Sequence, residues 1–82
     1  MKKKMEKNFE TTDLYLSAAL KSKGFRLLDL KRNGERKAIF VFEDRPERPQ
    51  IVKEFFSGEL QGSLKLFVNC WSDLKNFLAQ SA

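Results

Sequence analysis

The 82-residue chain contains no histidine and a single cysteine, Cys70. Without histidine it lacks the side chain most used as a general acid or base near neutral pH. One thiol cannot close an internal disulfide, and one thiol without histidine does not make an ordinary zinc site. These absences predict no enzyme, no catalytic residue, no metal and no cofactor. A lone cysteine suits a reduced, cytoplasmic setting. No apolar run approaches the ~20 residues of a membrane span. The basic start "MKKKMEKNFETTD" is not followed by an apolar stretch of signal-peptide length. The expectation is a soluble cytoplasmic protein without membrane contact. Its four glycines are scattered, and none belongs to a phosphate-binding loop.

What the chain does have is apolar material and positive charge. It is 41% hydrophobic and 12% aromatic, enough for one small globular core. The net charge of +5 favours anionic partners, nucleic acid first. The excess lies in the first half. Lys2, Lys3, Lys4 and Lys7 face only Glu6. Lys21, Lys23 and Arg26 have no acid among them, and Lys31, Arg32, Arg36 and Lys37 face only Glu35. From Glu59 onward, Lys65 and Lys75 are balanced by Glu59 and Asp73.

The pattern along the chain predicts a flexible basic arm over residues 1–8 and one α+β domain over 9–82. "TTDLYLSAALKSKG" reads as a helix, with Thr11 or Thr12 as cap and Asp13 complementing the dipole. Phe9 can staple its entry, and Gly24 suits a left-handed C′ position. "FRLLDLKRNGERKAIFVFED" reads as a β-hairpin turning on Asn33-Gly34. A two-residue turn would set Lys31 opposite Arg36 and Arg32 opposite Glu35. Leu28, Leu30, Ile39 and Val41 would then share one face. Phe25, Leu27, Ala38, Phe40 and Phe42 would share the other. A ribbon apolar on both faces needs cover on both, and its two open edges invite pairing with another chain.

"DRPERPQIVKEFFSG" reads as a turn and a short helix. Asp44 is a candidate cap, and Pro46 and Pro49 confine the regular helix to a start near Arg48. Ile51, Val52, Phe55 and Phe56 form its expected buried stripe, and Gly58 its end. "GSLKLFVNCWSDLKNFLAQSA" reads as the longest helix and the main slab of core. Ser63 is its cap, Leu64, Phe67, Val68, Trp71, Leu74 and Leu78 its stripe, and Cys70 and Phe77 its flanks. The predicted order is α-β-β-α-α, with the antiparallel hairpin packed against the helices.

Taken together, "TTDLYLSAALKSKGFRLLDL", "RNG", "FVFED", "FFSGE" and a last helix with "LKNFL" resemble a family of small prokaryotic domains of unknown function. The resemblance covers roughly Thr12 to Leu78. It implies a fold and a prokaryotic or phage-related origin. Arg45 departs from the small capping residue usual before the proline. No activity and no site residue come with the resemblance.

Several groups of residues could carry function. Asp29, Glu35 and Lys37 superficially match the acid-acid-lysine set of metal-dependent nucleases, but the expected register points Asp29 away from the other two. Cys70 beside Trp71 reads as a buried core thiol. Glu43 and Asp44 read as a solvated cap and turn, or as an acidic contact for a partner. Tyr15 and Trp71 carry polar handles suited to a rim or an interface. The basic residues Lys31, Arg32, Arg36 and Lys37 at the hairpin tip, with Lys21, Lys23 and Arg26, are the candidate phosphate contacts. The expectation is a small non-enzymatic binding protein that meets nucleic acid through this tip. The alternative is a protein-interaction or homodimerising module that uses the hairpin edge or the C-terminal helix.

Overall fold

The computed structural model describes residues 8–33 and 37–80. Six elements follow in order: β1 (Asn8–Thr11), α1 (Leu14–Ser22), β2 (Leu27–Asn33), β3 (Lys37–Glu43), α2 (Arg48–Ser57) and α3 (Leu64–Gln80). The class is α+β, as the sequence pattern implies, with one strand more than the pattern implies. Asn8, expected in the arm, opens β1. Phe9 pairs with Phe42 in the sheet instead of only stapling α1. Four residues with two apolar or β-branched side chains are too few for alternation to be legible.

β1 changes the architecture. The sheet order is β1-β3-β2, antiparallel throughout, so one of the two hairpin edges is filled by the chain itself. The remaining hairpin edge, β2, is blunted. Its register shifts between Leu27 and Asp29, leaving Leu28 as an extra residue. The Leu30 amide donates to the Asp29 carboxylate of the same strand at 2.8 Å. A bulge and a side chain occupying an edge amide both discourage another strand from adding.

The hairpin register also differs from the two-residue turn. Asn33 pairs with Lys37, Arg32 with Ala38, Lys31 with Ile39 and Leu30 with Phe40. Three residues therefore join the strands, and Lys31 does not oppose Arg36. Gly34, Glu35 and Arg36, with the expected Arg32–Glu35 pair, lie outside the described residues. Burial explains the choice. In this register, with the bulge at Leu28, Leu27 and Leu30 share a face with Phe40 and Phe42, and all four join one core cluster. The two-residue turn would have sent Leu30 to the opposite face. Register follows the buried set when turn propensity and burial disagree.

That core lies between the helices and one sheet face. α1 carries five consecutive buried residues, Leu16 to Leu20, because it contacts β1, α2 and α3 at once. Ser17, Ala18 and Ala19 are small enough for such close approach. Asp13 caps α1: its carboxylate accepts from the Tyr15 and Leu16 amides at 2.9 and 3.1 Å. Thr11 instead supports Asp13, its Oγ1 accepting from the Asp13 amide. Gly24 takes the left-handed conformation at φ 93°, which ends the helix without Cβ strain.

α1 and the sheet, not α3, form the main slab. On α3 only Cys70 and Leu74 are fully buried, with Phe67, Trp71 and Leu78 packed partly behind them. Leu64 is 80% exposed, and Val68, Leu66 and Phe77 are exposed too. Ser63 does cap the helix, its Oγ accepting from the Leu66 amide. On α2, which begins at Arg48 and ends at a left-handed Gly58, Ile51, Val52 and Phe55 reach the core. Phe56 does not, and is 65% exposed.

The second sheet face needs no helix. Val41 lies there and is only 3% exposed, yet it is not part of the core cluster. Its pairing partners Asp29 and Glu10 flank it, and the Lys31 ammonium reaches Glu10 at 3.1 Å from the strand on the other side of β3. Long charged side chains can cover apolar surface with their stems while their heads stay in water. An antiparallel sheet with one wet face is the result.

Candidate functional site

Of the seven basic residues proposed from the sequence, the five whose side chains are described do not converge on one place. Lys31 and Arg32 are neighbours on one strand, so alternation sends them to opposite faces. Lys31 pairs with Glu10 on the wet face. Arg32 turns to the helix side, where its Nη2 donates to the Leu78 carbonyl at 3.1 Å. α3 has no basic residue in its own last turn, so Arg32 supplies the cation its C-terminal carbonyls favour. Lys23 is the C-cap of α1, and its ammonium donates to the Gln61 carbonyl. Arg36 and the Lys37 side chain lie outside the described residues. Lys21 and Arg26 are the two that share a place. Both line a groove of about 590 Å³ with Phe25, Leu27, Asp73, Leu74 and Phe77.

Asp29 and Lys37 need a new reason to be set aside. The observed register puts them at positions of equal parity: Asp29 opposite Val41, Lys37 opposite Asn33. They are four residues apart along the ladder, roughly 13 Å at the rise of a strand, too far to share one ion. Glu35 lies outside the described residues. Among the described residues no three carboxylate or thiol groups approach closely enough to hold a metal ion. Cys70 is buried in the core cluster.

Sequence reasoning missed a clasp at Glu43 to Arg48. Arg45 donates to the Glu43 carboxylate and to the Gly24 carbonyl, both at 2.9 Å, and its guanidinium lies 4.6 Å from the centre of the Phe25 ring. The Arg26 amide donates to the same Glu43 carboxylate at 3.1 Å. That amide first, and the Arg45 guanidinium with it, hold the Glu43 carboxyl below its ordinary value, and Glu43 in turn raises Arg45. Arg48 grips Asp44 at 2.9 Å and covers the Phe9 ring at 4.2 Å. The acids are thus engaged inside the fold, and Arg45, the departure from the family pattern, ties β3 to the start of β2. The four-residue spacing of Asp44 and Arg48 was the available signal for half of this.

On the helix side, Tyr15 stacks on Trp71 with centroids 6.3 Å apart and planes 8° apart. Lys75 sits 4.7 Å from the centre of the Trp71 ring. The Trp71 indole N–H is buried and has no partner among the described residues. Tyr15 itself is 57% exposed and lies at the surface. Leu64 and Val68 are exposed on α3 and Phe56 on α2, and Phe77 is exposed at the groove near β2. This surface can bind by apolar contact and charge pairing.

No described helix is long and apolar enough to cross a membrane. Residues 6–80 match the model of a domain of unknown function, DUF5659, and the chain belongs to that family. No curated protein and no solved structure matches it.

Proposed function

We propose that this DUF5659 domain is a non-enzymatic protein-interaction module that works through its helical side. The observation that carries the reading is the exposure of large apolar side chains there: Tyr15, Phe56, Leu64 and Val68 are each more than half exposed. Aromatic and aliphatic anchors at the surface of a small domain are what protein interfaces bury. The hairpin edges support such a role less well, because β1 fills one and the bulge at Leu28 blunts the other.

A second reading keeps nucleic acid as partner, favoured by the net charge of +5 and by Lys21 and Arg26, which make no ion pair with a described residue. Titration of labelled duplex and single-stranded oligonucleotides at two salt concentrations separates the readings. The protein-contact reading expects no binding at ~50 mM salt, where several phosphate contacts would be obvious. Binding there that weakens steeply with added salt would overturn it in favour of nucleic acid.

A further inference from the structure

We propose that the domain binds a second copy of itself head to tail, with Phe56 of one copy seated in the groove between α1 and α3 of the next. The inference rests on the protein-contact reading and names the partner. Its basis is a match of charge and shape between two separate surfaces of the same chain.

The first surface is a knob. Phe56 is 65% exposed near the end of α2, and the half-buried Phe55 meets its ring edge-on at 5.2 Å, supporting it from behind. Lys53 lies three residues before it, on the same side of the helix. Glu59 lies three residues after it, just beyond the left-handed Gly58. Along the chain the knob reads cation, aromatic ring, anion.

The second surface is the groove of about 590 Å³. Leu27, Leu74 and Phe77 give it apolar walls. Lys21 and Arg26 line it from the α1 side, and Asp73 from α3. Across the groove the order is anion, apolar wall, cation. Docking Phe56 between the walls with Lys53 toward Asp73 brings Glu59 toward Lys21 and Arg26. None of these five charged groups makes an ion pair with another described residue. Arg26 also acts on the Glu43 carboxylate through space. The opposite polarity of docking would be repelled.

Knob and groove share no residue, so both can be engaged at once, and the head-to-tail contact proposed is heterologous. Each copy can give its knob to one neighbour and its groove to another, which builds a ring or an open chain rather than a closed pair. That property supplies a test that an isologous dimer cannot pass. One variant, Phe56→Ser, loses the knob. Another, Lys21→Glu with Arg26→Glu, reverses the groove. Both changes lie at the surface, and circular dichroism checks that each variant is folded.

Sedimentation velocity over a concentration series is the readout. The wild type is expected to gain mass with concentration beyond a dimer. Each variant alone is expected to lose at least tenfold in association constant. Their equimolar mixture is expected to form one-to-one dimers that grow no further, because it restores one working contact per pair. A wild type that stays monomeric up to ~1 mM, the weak end of specific association, overturns the inference. So does a wild type that associates while the mixture does not pair. Neither result touches the oligonucleotide test, so the protein-contact reading stands or falls separately.

Discussion

Leu64 and Leu74 lie on the same helix, ten residues apart, and the sequence pattern puts both on one buried stripe. The fold separates them. Leu74 is 1% exposed and belongs to the core cluster with Leu16, Leu20, Phe40 and Phe42; Leu64 is 80% exposed. Truncating a buried leucine to alanine removes its transfer free energy and leaves a cavity, together about 2–5 kcal/mol. Total stability for a chain of this length is on the order of 4–12 kcal/mol. Leu74→Ala should therefore lose about a sixth of it or more and lower Tm by roughly 8 °C or more. Leu64→Ala should stay within about 0.5 kcal/mol of wild type, as exposed substitutions usually do. Urea denaturation followed by circular dichroism measures both, with an unchanged denaturant slope confirming a common unfolded state. A Leu74→Ala so unstable that it never folds agrees with full burial of that side chain. Equal losses at the two sites would refute the placement, because α3 would then have to turn a different face to α1 and the sheet.

Replacing Asp13 by alanine should cost about 0.5–2 kcal/mol through the lost α1 cap, whereas Asp13→Asn should keep most of it; thermal melts distinguish the two. A double-mutant cycle on Lys31 and Glu10 should give a coupling of about 0.2–1 kcal/mol that fades at high salt. Glu43, whose carboxyl is held below its ordinary 4.5, stabilises the fold above that value and loses the contribution as pH falls through the lower folded value. Glu43→Gln should therefore flatten the acid limb of stability against pH, while a variant limb as steep as wild type would exclude Glu43 as a source of it.

The helices were legible where local chemistry and packing agreed. Gly24 and Gly58 ended α1 and α2 as expected, Ser63 capped α3, and the two prolines fixed the start of α2 at Arg48. The hairpin was legible as an element but not in its register. Asn33-Gly34 is a strong turn signal, yet it competes with the burial of Leu27 and Leu30 beside Phe40 and Phe42, and a turn dipeptide carries no information about that distant cost. β1 was hidden because its pairing with β3 is set by tertiary contact and not by any local period.

The site was less legible than the fold, for a related reason. Clustering of basic residues in sequence says where charge is, not what neutralises it. Lys31 meets Glu10, twenty-one positions earlier, and Arg32 meets the Leu78 carbonyl, forty-six positions later. Exposure of apolar groups was equally obscure. A stripe spaced by three and four identifies a helix side, but α3 carries apolar residues around most of its circumference. Only the position of α1 decides that Cys70 and Leu74 go inward and that Leu64 and Val68 stay out.

We propose the helical side of the domain, rather than the basic hairpin tip, as its working surface. A dilution series of ¹⁵N-labelled protein, followed by amide chemical shifts from about 1 mM downward, tests this most directly. Concentration-dependent shifts are expected around Lys53, Phe56 and Glu59 together with Lys21, Arg26, Asp73 and Phe77, and none over Lys31 to Lys37. Shifts confined to Lys31–Lys37, appearing only when an oligonucleotide is added at ~50 mM salt, would contradict the claim.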